Sequence, residues 1–179
     1  MSIPDDWVAH VLADGSFVSW VSREEVHTHN LIHRSVNILV FHEDGRMLIQ
    51  QRAAMKRTFP LCWDLSCSGH VDYSDHPEGN PDATAEAFFS AATREIEEEL
   101  GINTPLIPIG EFAPFEGVNI ERSMFYKTIC NGPFVLQESE VAQCAWVSLN
   151  EMVTYAPQTP LLAKLYTASD VLSSAFVFR

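Results

Sequence analysis

The chain lacks any apolar run of membrane-spanning length, and its opening residues, Met1 to Asp6, lack a signal-peptide pattern. Neither a membrane span nor a secretory route is therefore expected. Cations are few: 11 lysines and arginines stand against 24 aspartates and glutamates, a formal net charge of -13. That balance argues against non-specific binding to nucleic acid or to a membrane surface. It also means that an anionic substrate has to be held locally, by a metal ion and a few basic side chains. Cysteine is sparse and scattered, at Cys62, Cys67, Cys130 and Cys144. Without an export pattern these read as reduced thiols in a cytoplasmic protein. Cys62, Cys67 and His70 match no standard zinc spacing. Repeats and low-complexity tracts are missing, and no heptad shows how copies of the chain would associate, so monomer and homodimer both stand. The 179 residues suffice for one domain with a real core, and nothing suggests a second.

Turn signals and apolar patterning then lay out alternating strands and helices. Trp7 to Leu12 and Phe17 to Val21 flank Asp14-Gly15 and predict an N-terminal hairpin. Ser22-Arg23-Glu24-Glu25 predicts a capped helical turn. Val36 to Phe41 and Arg46 to Gln51 bracket Glu43-Asp44-Gly45 as a second hairpin. Pro105 to Phe115 and Ile120 to Cys130 form a further strand pair, followed by a strand over Val141 to Val147. Ser148-Leu149-Asn150-Glu151 opens a short helix with a capping box, and Thr159-Pro160 starts a last helix burying Leu161, Leu162, Leu165 and Tyr166. A mixed sheet with helices on both faces satisfies this order.

One stretch carries charge where a helix ordinarily avoids it. Phe89, Ala92, Ile96 and Leu100 recur at helical spacing, and Gly101 reads as the C-terminal stop. Glu95, Glu98 and Glu99 lie at i, i+3 and i+4 on one flank of that stripe. Like charges so spaced repel by roughly 0.2–0.5 kcal/mol per pair. The negative end of the helix dipole adds roughly 0.3–1 kcal/mol in the same direction. A divalent cation reverses both penalties, because oxygen-rich carboxylate clusters suit magnesium and calcium. The plainer reading is a solvated acidic face, partly neutralised by Arg94 reaching Glu97 or Glu98.

Arg94-Glu95-Ile96-Glu97-Glu98-Glu99-Leu100-Gly101-Ile102 resembles the core of the Nudix box, Arg-Glu-apolar-x-Glu-Glu-x-Gly-apolar, at every specified position. Ser68-Gly69-His70-Val71-Asp72 resembles the glycine-led strand and loop before the box helix. Glu86 has the family's distance to Arg94, but the loop from Gly69 to Glu86, around Tyr73 to Ala83, is much longer than the pattern. Asn80-Pro81 reads as an N-cap and N1 pair, which places Glu86 on the flank opposite Glu95. The resemblance implies an α/β (α+β) Nudix αβα sandwich with a mixed central sheet, spanning 1–179, with 1–30 as an N-terminal hairpin extension.

A second resemblance narrows the subgroup. Gln51 to Lys56 and Phe59 to His70 are similar to isopentenyl-diphosphate isomerase, itself of Nudix fold, and the similarity runs from about His27 to Trp146. It implies that Arg52 and Lys56 contact a substrate diphosphate. It also implies that His27, His33 and His70 correspond to metal-ligating histidines and Glu121 to a later glutamate. Surface or cap roles for His27 and His33, and a structural or substrate-contacting role for His70, are the alternatives from the residues themselves. The isomerase needs a cysteine directly before Gly-His. Here that position is Ser68, a poorer proton donor or acceptor than a thiol, and Cys67 points to the other face of a strand. The isomerases have also degraded the glutamate set that this chain keeps.

These departures favour hydrolysis of a phosphoanhydride in an organic diphosphate, such as a nucleoside diphosphate derivative. The expected cofactor is Mg²⁺ or Mn²⁺ on Glu95, Glu98 and Glu99, with Arg94 orienting Glu95. Substrate contacts are expected from Arg52, Lys56, Gly69 and His70, and a general base from Glu95, Glu121 or Glu140. An isomerase acting through another acid, and a nucleotide-binding domain without turnover, are the competing classes. Trp63 and Phe59 read as core residues or as a base-stacking pair. The stretch from Phe134 to Val141 is either a connection or a loop that reaches the site.

Overall fold

The structure, a computed structural model, describes residues 3–114, 120–155 and 158–159. Strands β1 (Val8–Val11) and β2 (Phe17–Val21) form the N-terminal hairpin. Its turn uses Gly15 at φ +92°, and the Asp14 carboxylate accepts the Ser16 amide at 2.9 Å. Helix α1 (Arg23–His29) follows, with the Ser22 hydroxyl accepting the Glu25 amide at 3.2 Å and Asn30 in the left-handed conformation closing it.

Strand β3 (His33–Phe41) is buried at all nine positions and organises the sheet. The expected second hairpin, to β4 (Met47–Arg52), pairs only at Phe41↔Met47. Beyond that point the two strands part. β3 takes β8 (Glu121–Ile129) as a parallel partner along its whole length, and β6 (Cys67–His70) and the tip of β1 as antiparallel ones. β4 takes β5 (Trp63–Asp64) and β9 (Val141–Val147), and β7 (Ile107–Phe112) completes the sheet on β8. A turn signal specifies that two strands meet, not how far they stay together.

Alternation along β3 separates two cores. Val36, Ile38 and Val40 face helix α2 (Thr84–Leu100) together with Cys67, Ala87, Phe88, Ala92, Ile96 and Leu100. Leu39 and Phe41 face the other way, toward Phe125, Val147 and Met152 of helix α3 (Leu149–Tyr155). The result is an αβα sandwich around a mixed sheet. Among the described residues no helix is long and apolar enough to cross a membrane.

Two expectations about local structure need correction. Helix α2 starts at Thr84, not after Asn80; the Asn80 side chain instead accepts the Asp82 amide at 3.0 Å in a local turn. Its buried face carries Phe88, one turn before Ala92, whereas Phe89 is 51% exposed. Glu86 is exposed. Gly101 closes the helix at φ +66°, and the Val135 and Gln137 amides bond the Leu100 and Glu99 carbonyls at 2.9 and 3.1 Å. The capping box of α3 is present, Ser148 and Glu151 exchanging bonds of 2.8 and 3.3 Å. The helix expected from Thr159-Pro160 onward lies outside the described residues, apart from Thr159.

Candidate active site

A cavity of about 870 Å³ opens beside the C-terminal half of α2. Its lining brings together Glu95, Glu98, Glu99, Arg94, Gly69, His70, Arg52, Lys56, Glu121 and Glu140, which the sequence singled out separately. Glu95 and Glu99 fall on the buried face of the helix, at 8% and 5% exposure, while Glu98 points outward. Burial pushes both carboxyls up to about 7, outweighing the Arg94 guanidinium for Glu95 and bonds from Cys67 and Gln50 for Glu99. The Gln50 amide donates to Glu99 at 2.9 Å.

Gly69 is what lets Glu95 sit where it does. A Cβ there would lie 1.9 Å from the Glu95 Cδ and 2.1 and 2.4 Å from its oxygens, so the carboxylate occupies the space a side chain would fill. Arg94 fixes it from the other side, Nη1 donating to Glu95 at 2.7 Å and to Glu98 at 3.3 Å. The arginine is itself held by Asp75, at 2.8 and 3.2 Å, and by the His70 carbonyl at 3.1 Å. Asp75 has no unused oxygen: it also accepts the Asp72 amide at 2.9 Å and the Ser90 hydroxyl at 3.3 Å. Asp72 in turn holds Arg23, a further cavity residue, through contacts of 2.6 and 2.7 Å.

Among the described residues the three box carboxylates are not drawn to a common point, because Glu98 turns toward Arg94 and solvent. Three histidines are. The ligand nitrogens of His27, His33 and His70 all lie within 4.8 Å of one another, and Glu121 stands opposite His33 in register, 3.7 Å from its Nε2. Among the described residues, the Nε2 atoms of His33 and His70 are buried without a hydrogen-bond partner. Burial, reinforced by His33, holds His70 well below the ordinary histidine range. Cys67 takes no part in this cluster. Its thiol faces α2, where burial and Glu99 push it well up, while Ser68 lines the cavity.

The two basic residues expected to contact phosphate are already engaged. Lys56 pairs with Glu140, and Arg52 donates to the Thr58 carbonyl at 3.0 Å and lies 3.6 Å from Asp64. Gln137, Ser139 and Glu140 line the cavity, so the stretch before β9 does reach the site. Trp63 packs on Tyr155 at 5.3 Å and joins the core, whereas Phe59 is exposed at the cavity rim.

Residues 31–168 match the model of the NUDIX domain. The chain belongs to the Nudix family. It is 31% identical over 149 residues to a protein of Escherichia coli K12 described as the uncharacterized Nudix hydrolase YfcD, covering 82% of this chain and 76% of that one. It is 26% identical over 161 residues to an isopentenyl-diphosphate Delta-isomerase of Serratia proteamaculans, covering 87% and 84%. Among solved structures, DR0079 of Deinococcus radiodurans superposes with a TM-score of 0.69 at 19% identity, over 89% of this chain and 99% of that one. That likeness shows the fold. With hydrolases among its relatives, this Nudix chain is an enzyme of the hydrolase type.

Sequence reasoning passed over Arg23, Asn37, Gln50 and Asp75. Arg23 sits one helical turn before His27, a spacing that signals a shared face. Asn37 follows His33 and Ser35 at strand period. Gln50 and Asp75 carry no local signal, since their partners Glu99 and Arg94 are 49 and 19 positions away.

Proposed function

We propose that this Nudix enzyme hydrolyses the phosphoanhydride of an organic diphosphate, a nucleoside diphosphate derivative or a related pyrophosphate, with Mg²⁺ or Mn²⁺ held by Glu95, Glu99 and a Glu98 that turns in from Arg94. The observation that carries this reading is the pair of buried carboxyls at Glu95 and Glu99 beside the side-chain-free Gly69. Two buried carboxyls whose ionisation burial opposes up to about pH 7 cost stability at neutral pH unless a cation pairs with them, and an all-oxygen donor set fits a hard divalent cation. When bound, that ion neutralises phosphate charge and activates water.

The chain's own residues supply the rest. Arg94, clamped by Asp75, holds Glu95 in place. Arg52 and Lys56 exchange their present partners for the outer phosphate, with Gly69 and His70 beside it. Glu95, Glu121 or Glu140 accepts the proton of the attacking water as the phosphorus–oxygen bond breaks. The reading extends to 1–179 as one domain with 1–30 as its extension, which the pairing of β1 with β3 supports. A reducing, cytoplasmic setting is in keeping with four free thiols.

The test is release of phosphate and pyrophosphate across a nucleotide panel with Mg²⁺ and then Mn²⁺. Glu98→Gln should abolish metal-dependent turnover and leave the melting temperature unchanged, because Glu98 is exposed. Full activity in that variant would end the assignment.

A specific observation favours one second reading. The histidine cluster with Glu121 suits an isomerase-type metal centre, and relatives include isopentenyl-diphosphate isomerases. Ser68 in the cavity and the inward-turned Cys67 count against proton transfer to carbon. Dimethylallyl diphosphate appearing on incubation with isopentenyl diphosphate would establish the isomerase.

A further inference from the structure

One face of β3 changes character half-way along. Its inner positions Leu39 and Phe41 belong to the core under α3, but His33, Ser35 and Asn37, on the same side of the strand, are polar. Most of their register partners continue the polar surface; the exception is Phe125, the β8 partner of Asn37. Glu121 stands beside His33, Ser123 and His70 beside Ser35, and Ser68 beside Asn37. The Ser35 and Ser123 hydroxyls satisfy one another at 2.7 Å. Asn37 differs. It is 1% exposed, it lines the cavity, and among the described residues its Nδ2 has no hydrogen-bond partner. A buried donor left open is uncommon and calls for a reason, and a cavity that receives a ligand is one.

We propose that Asn37 is a specificity-determining residue that donates a hydrogen bond to the non-phosphate part of the substrate. That part is a polar group such as a sugar or a base, not a hydrocarbon tail. The proposal rests on the hydrolase reading above and narrows its substrate class. The chemistry is asymmetric. A polar group carrying an acceptor completes the Asn37 amide, with Ser68 and His70 alongside. An isoprenyl chain in the same place seals the amide away from water with nothing to bond, and a site built to hydrogen-bond rejects ligands that cannot. Losing one such bond to an otherwise buried donor corresponds to roughly a 10- to 100-fold change in affinity.

The experiment is calorimetric binding in Mg²⁺, without turnover. The probes are the α,β-methylene analogues of ADP and UDP, set against isopentenyl diphosphate, on the full chain and on Asn37→Leu. The wild-type chain is expected to favour at least one nucleotide by tenfold or more. Asn37→Leu is expected to reduce that preference by roughly 10- to 100-fold while isopentenyl diphosphate binds unchanged or tighter. Asn37→Ala, which only removes atoms, should move the ratio the same way and replaces leucine if that variant fails to fold. Equal wild-type affinity for both probe classes, or a ratio within twofold of wild type in the variants, overturns the proposal. Phosphate release is scored separately. A chain that hydrolyses nucleotides but shows no ratio shift loses only this inference. A chain that shows the shift but releases no phosphate loses only the hydrolase reading.

Discussion

Replacing Gly69 by alanine separates the site from the fold more cleanly than removing a carboxylate does. The new Cβ would stand 1.9–2.4 Å from the Cδ and oxygens of Glu95. Non-bonded heavy atoms settle at about 3.5–4.0 Å, so the carboxylate has to retreat by roughly 1–2 Å. The atoms in the way are the end of a flexible side chain, and Gly69 carries no left-handed backbone requirement, so the helix and strand can stay where they are. Forcing one methyl into a packed contact costs about 1–3 kcal/mol. The functional loss should be larger. Glu95 leaves its 2.7 Å bond from Arg94, and a displacement near 1 Å at a reacting centre costs about 100-fold in rate. Gly69→Ala is therefore expected to melt a few degrees below wild type while kcat/KM for phosphate release falls at least about 100-fold, with a weaker response to added Mg²⁺. Steady-state kinetics over a magnesium series and a thermal melt on the same preparation decide it. A variant within twofold of wild type in kcat/KM would show that the Glu95 position is not what the chemistry uses.

Asp75→Asn keeps the shape of the Arg94 clamp but removes its charge; kcat should drop about tenfold with KM little changed, at a stability cost of about 1–3 kcal/mol, and a proportional rise in KM alone would refute the clamp. The pH dependence of the metal-free protein follows from Glu95 and Glu99. Both folded-state values are raised from 4.5 to about 7, so between those limits the folded chain holds protons that the unfolded chain has released. The stabilisation they provide is complete below pH 4.5 and is lost as pH rises toward 7, on the order of 3 kcal/mol per group. Melts in chelator should decline across this window, Mg²⁺ or Mn²⁺ should restore stability above pH 7, and Glu95→Gln should flatten its share of the slope. A flat wild-type profile would refute the raised values.

Much of the local structure was legible because its signals are local. The Asp14-Gly15 turn, the Ser22 and Ser148 caps, the Gly101 stop and the bounds of β9 each follow from residues within a few positions of one another. Helix phase was harder. Phe88 and Phe89 are both apolar and about 100° apart, and only packing against β3 and β6 decides which is buried. The parallel pairing of β3 with β8, which sets His33 against Glu121, joins residues 88 positions apart and leaves no periodic trace.

The long loop before the box helix shows the same limit at the site itself. By family spacing it reads as a departure from the pattern that sets Glu86 on the flank opposite Glu95. In the structure it folds two short 3₁₀ turns, the first of them packed on α2, and delivers Asp75 to Arg94 and Asp72 to Arg23. Arg94 touches three other carboxylates within 3.4 Å: Asp72, Glu95 and Glu98. A lone arginine among that many anions could settle on any of them. Asp75, 5% exposed and accepting two of its bonds, removes the choice, leaving Nη1 for Glu95 and Glu98. Burial makes that preference firm, since a paired charge in a low-dielectric setting is expensive to separate. The insertion thus acts on the box from outside it: the loop fixes the arginine that holds Glu95 and Glu98.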